Sequence, residues 1–76
     1  MSQTTVVYVA ILEDRHFSTA LEVFTKPIKA LKQITEWQFG YKDEIWVEEN
    51  IEGWEYYVRS DCDDGPKMRI EKKELR

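Results

Sequence analysis

Nine residues, Thr4 to Leu12, constrain the fold more than any other part of the chain. Val7, Val9 and Ile11 form one alternating set and Val6, Tyr8, Ala10 and Leu12 the other, so both faces of an extended segment are apolar. A strand of that kind is covered on both faces and is expected near the centre of a sheet. With 76 residues in all, the expectation is one domain, 1–76, built around that strand. A chain this short buries only about 60% of its unfolded surface. Its ten aromatic rings offset this, since each can bury roughly 150–250 Å². Some of those rings are expected in a partner or homodimer interface.

Glu13-Asp14-Arg15-His16 ends the pattern, and Leu21 to Thr25 resumes a strand, with Leu21 and Val23 alternating against Glu22. The simplest arrangement is a hairpin. Thr25 is the expected N-cap of a helix over residues 26–38, with Pro27 in the first turn, where a missing N–H costs little. Ile28, Leu31, Ile34 and Thr35 recur at helical spacing, with Trp37 or Gln38 closing the face, and Gly40 is the expected stop. In residues 41–53, Ile45-Trp46-Val47 favours a short strand, although the flanking acids also suit a short helix. Trp54 to Arg59 reads as a strand with Trp54, Tyr56 and Val58 beneath the helix and Glu55, Tyr57 and Arg59 opposite. A turn over residues 61–66 leads to a last alternating strand, Lys67 to Leu75. The expected fold is α+β. A four- or five-stranded, mostly antiparallel sheet carries one amphipathic helix on one face, in the order β-β-α-(β)-β-β.

Charge is distributed unevenly. Residues 43–64 carry nine acids, Asp43, Glu44, Glu48, Glu49, Glu52, Glu55, Asp61, Asp63 and Asp64, against Arg59 alone. The whole chain is at −4, so the flanking segments are mildly basic. Trp46 and Tyr57 sit inside the acidic block, and aromatics framed by charge are typical of interfaces. These eleven residues are the expected partner-binding set.

Other chemistries fit less well. Asp61, Asp63, Asp64 and Gly65 resemble the start of a calcium loop, but Pro66 stands where that loop needs Gly, and Lys72 where it needs Glu. The plain reading is a solvated turn, with no metal. Glu13, Asp14 and His16 form an incomplete ligand set and make a metal-dependent enzyme the weaker alternative. Cys62 lies among acids, which raise a thiol pKa and blunt its reactivity. Ser2, Ser18 and Ser60 lack a nucleophile-elbow pattern, and the three glycines are too scattered for a phosphate loop. No catalytic residues and no cofactor are expected. Lys26, Lys29 and Lys32, with Lys67, Arg69, Lys72, Lys73 and Arg76, define a second alternative, a small nucleic-acid-associated regulator. The acidic block opposes it by repelling phosphate, so direct nucleic-acid binding is not expected.

The longest apolar run is far below the roughly 20 residues of a membrane span. Met-Ser-Gln-Thr-Thr has no basic n-region, and one cysteine makes no internal disulfide. Both point to a cytoplasmic protein with no membrane partner.

Val7–His16 (VYVAILEDRH) and Gly53–Arg59 (GWEYYVR) together resemble short uncharacterised α+β proteins of prokaryotic and phage genomes. That resemblance carries no activity. In size and charge the chain is also similar to phage anti-CRISPR proteins, small acidic inhibitors that often occupy nucleic-acid sites. This implies an inhibitor of host defence acting in the host cytoplasm. The leading expectation is therefore a non-enzymatic protein-binding module whose acidic segment docks on a larger protein with a basic, nucleic-acid-binding surface.

Overall fold

The computed structural model describes residues 5–14, 19–41, 43–62 and 65–75. Six elements follow in order: β1 (Thr5–Glu13), β2 (Ala20–Phe24), α1 (Pro27–Phe39), β3 (Trp46–Glu48), β4 (Tyr56–Ser60) and β5 (Lys67–Leu75). The strands form one antiparallel sheet in the order β2-β1-β5-β4-β3. The α+β architecture expected from the sequence is present, with five strands and one helix, and residues 46–48 supply the short strand.

Both expected hairpins form. Val9 pairs with Val23 and Ile11 with Leu21 in the first, and Tyr57 pairs with Arg69 in the second. A long seam then joins them, running from Thr5↔Leu75 to Glu13↔Lys67. β1 is therefore an interior strand, as its two apolar faces require. Only one face lies under the helix. Tyr8, Ala10 and Leu12 point to it and meet Ala30, Ile34, Val58, Met68 and Ile70 in the core. On the other face Val7 and Ile11 are also buried, although among the described residues no helix lies there. They stand in register with Lys73 and Arg69, whose long aliphatic stems can cover apolar neighbours.

The helix is turned from the expected face. Ala30 and Ile34 are its buried residues, whereas Ile28 is 72% exposed and Leu31 42%. Ala30 is small enough to bring the helix backbone close to the sheet, and this sets the rotation. The N-cap is Lys26 rather than Thr25, and no side chain caps the first turn. The helix starts one residue later because Pro27, with its fixed φ and no N–H, fits its first turn. Gly40 ends the helix as expected, in a right-handed conformation with φ −74°.

Trp54 also departs from expectation. β4 starts at Tyr56, and Trp54 stacks on Tyr57, 5.2 Å between centroids, on the face away from the helix. Gly53, at φ 94°, turns the chain just before it and breaks the alternation that the sequence suggested. Gly65 serves a different need, since a Cβ there would overlap the side chain of the buried Ser60.

Candidate functional site

The two connections that bracket β3, together with β3 and β4, gather the acidic block along one edge of the sheet. Asp43 and Glu44 lie between α1 and β3, Glu48 ends β3, Glu49, Glu52 and Glu55 lie between β3 and β4, and Asp61 follows β4. Asp43, Glu48, Glu49, Glu52, Glu55 and Asp61 are exposed, and Glu44 is half-buried. Asp63 and Asp64 lie outside the described residues.

Three of these carboxylates are held in place. Tyr56 Oη donates to Glu48 Oε1 at 2.7 Å. Arg59 Nε donates to Glu49 Oε1, and Ser60 Oγ to Glu44 Oε2. Burial, and then the bond to Glu48, push the Tyr56 phenol up to about 12, so it stays a donor throughout the neutral range. A hollow of about 230 Å³ opens between Glu48, Glu49, Asn50, Glu55, Tyr56 and Tyr57.

The two aromatics of the expected set have different settings. Trp46 packs its ring edge-on to Tyr41, 6.0 Å between centroids, against the core. Tyr57 lies on the opposite face with Trp54, over which Arg69 sits at 5.0 Å from the ring centroid. Trp46 and Tyr57 are thus on opposite sides of the sheet, and one flat partner surface cannot cover both.

Two hollows beside the acids have no counterpart in the sequence reading. α1 approaches β1, β2 and β5 but makes no close backbone approach to β4 or β3. Side chains nevertheless cover the helix side of β4, where Val58 and Ser60 are fully buried and Val58 packs in the core with Ile34. Near the start of α1, Pro27, Leu31, Tyr56, Ile70 and Glu55 enclose about 150 Å³. Near its end, Thr35, Gln38, Phe39, Tyr41, Glu44 and Trp46 enclose about 350 Å³. The two hollows share no lining residue and lie at opposite ends of α1.

The alternative constellations disperse. Glu13 accepts from Arg69 Nη1, and Asp14 Oδ2 accepts from Tyr41 Oη at 2.7 Å. His16 lies outside the described residues. Among the described residues no three His, Cys, Asp or Glu side chains come together to hold a metal ion. Lys26, Lys29 and Lys32 are exposed on the helix, whereas Lys67, Arg69 and Lys73 alternate onto the far face of the sheet. Lys72 falls on the other alternating set of β5, and Arg76 is outside the described residues. Among the described residues no single basic face results. Cys62 is exposed and unpaired, and its backbone N–H donates to Ser60 Oγ. No helix among the described residues is long and apolar enough to cross a membrane.

Set against protein-family models, curated proteins and solved structures, the chain matches none of them.

Proposed function

We propose that this chain is a non-enzymatic protein-binding module that docks by its β3–β4 edge on a basic, nucleic-acid-binding surface of a larger protein. The observation that carries this reading is the one-sided placement of the carboxylates. Asp43, Glu44, Glu48, Glu49, Glu52, Glu55 and Asp61 line one edge, and among the described residues of 43–61 Arg59 is the only cation. Like charges held this close repel one another, a cost that solubility alone does not require. Opposite charge on a partner relieves it and steers encounter. Bound in this way, the module would act as an inhibitor by competing with nucleic acid. An anti-CRISPR-like role in a phage-infected cell is one form of that activity.

The test is kinetic. A partner captured from prokaryotic lysate and identified by mass spectrometry is titrated with the protein and with the double variant Glu48→Lys/Glu49→Lys. The variant is expected to associate about tenfold more slowly at low salt with little change in dissociation, because exposed charges govern encounter. Nucleic acid added to the complex should displace the protein. Equal association rates for the two proteins at low salt would sink the docking reading.

A further inference from the structure

The outer side of α1 carries a pattern of its own. At about 100° per residue, Ile28, Leu31, Thr35 and Phe39 fall in one stripe about 80° wide, turned away from the buried Ala30 and Ile34. Ile28 and Phe39, near its two ends, are 72% and 73% exposed, more than any other large apolar side chain among the described residues. The spacing is nearly palindromic, with steps of three, four and four residues in one direction and four, four and three in the other. A helix surface of that kind fits a copy of itself turned end for end, because a two-fold contact brings one patch onto the same patch. Ile28 of each copy then meets Phe39 of the other, and Leu31 meets Thr35 on either side of the centre.

Charge fits the same arrangement. Exposed Lys29, Lys32 and Glu36 follow one another along one flank of the stripe, and Pro27, Leu31 and Gln38 lie on the other, which faces β4 and β3. An end-for-end copy brings the charged flanks together in reverse order. With Ile28 opposite Phe39, Glu36 of each copy falls between Lys29 and Lys32 of the other, within about 3 Å of both along the axis. The two Lys32 side chains flank the two-fold axis, each with a Glu36 of the other copy beside it. The helix ends fit as well. α1 has no acidic residue in its first turn and no basic residue in its last, so Lys29 opposes the dipole of a lone helix. The antiparallel copy sets Lys29 beside the other helix's last turn, where positive charge is favourable. A parallel pair would face charged flank to uncharged flank and put like ends together. We propose that α1 packs antiparallel on α1 of a second copy, with an apolar seam of Ile28, Leu31, Thr35 and Phe39 and reciprocal pairing of Glu36 with Lys29 and Lys32. Both β3–β4 edges then lie on the same side of the dimer, because each is on the flank away from the lysines. The inference goes beyond the docking reading and stands without it.

The test is sedimentation velocity over a range of protein concentration. About 20 Å of paired helix is a small contact, so the protein should be monomeric near about 10 μM and largely dimeric approaching about 1 mM at low salt. Ile28→Ser and Phe39→Ser are each expected to weaken association about tenfold, and both sites are exposed enough that folding should survive, which circular dichroism checks. Glu36→Lys leaves only like charges on the paired flanks and should weaken association at least about tenfold. Reversing all three charges, Lys29→Glu/Lys32→Glu/Glu36→Lys, restores opposite neighbours and should recover most of that loss. Leu21→Ser/Val23→Ser, on the sheet face away from the helix, should change nothing.

A monomer at about 1 mM would overturn the proposal, since even a small specific interface associates there. So would a dimer that survives both Ile28→Ser and Phe39→Ser, or one lost in Leu21→Ser/Val23→Ser, which would move the interface to the other face of the sheet. A dimer broken by the serine variants yet indifferent to Glu36→Lys would overturn the antiparallel pairing. None of these outcomes bears on whether the acidic edge docks on a basic partner.

Discussion

Tyr41 Oη donates a hydrogen bond of 2.7 Å to Asp14 Oδ2, tying the chain that leaves α1 to the chain that leaves β1. Burial, and then this acceptor, push the Tyr41 phenol from its usual 10.0 up to about 12. The folded protein thus keeps a proton that the unfolded chain gives up earlier. The resulting stability is complete below pH 10 and is lost as pH rises from about 10 to about 12. Tyr56, raised by burial and Glu48, acts in the same direction. Urea midpoints followed through this window should fall steeply for the natural protein and less steeply for Tyr41→Phe/Tyr56→Phe. Parallel curves would refute the linkage.

Arg69 joins three parts of the sheet. It donates to Glu13 on β1 and, at 2.7 Å, to Glu71 on β5, and its guanidinium covers the Trp54 ring. Arg69→Met should cost about 1–2 kcal/mol, toward the low end for charge-assisted bonds because Glu13 is half exposed. Arg69→Lys should recover less than half of that, since an ammonium has neither the planar fork nor the stacking face. Hydrogen bonds from Arg69 and Lys73 hold the Glu71 carboxyl below its usual 4.5. Its contribution is present above that pH and disappears as pH falls through the lowered value. Acid unfolding of Arg69→Met should therefore be shallower. A variant as stable as the parent at neutral pH would show the network to be decorative.

Helix substitutions discriminate between the expected and the observed core. Ile34, 1% exposed, should cost about 2–4 kcal/mol when replaced by Ala, enough to unfold much of so small a domain. Leu31→Ala should cost less than about 1.5 kcal/mol, because 42% of Leu31 already faces solvent. Thermal melts of the two variants settle the rotation of α1. The reverse ranking would place Leu31 in the core.

Period alone revealed the strands and the helix. Alternation in Val7/Val9/Ile11 and in Met68/Ile70 reports strand content, and both segments are paired as strands. It does not report what covers each face. Ile28 and Leu31 recur with Ile34 at helical spacing, and that spacing makes them the expected anchors. Packing selected Ala30 instead, because a helix approaches a sheet most closely over a small side chain. Trp54 was assigned by counting back from Val58, and Gly53 reset the count. The acid block was legible as composition, since contiguous residues stay near one another along one edge. The hollows along α1 were not. They depend on α1 lying over β1, β2 and β5, and that placement follows from a strand order no local pattern encodes.

The seam between β1 and β5 also sets the order in which the molecule can assemble. Each hairpin can close locally, in about 1–10 μs, but the nine-pair seam joins the first strand to the last. Its loop-closure entropy must be met before any of its contacts form, which places the chain among slower, non-local folders on the scale of about milliseconds to seconds. Until then both hairpins present bare inner edges, and Ala10 and Ile70, partners across the seam, face solvent. A ribosome must also deliver Lys67–Leu75 before β1 gains its second neighbour.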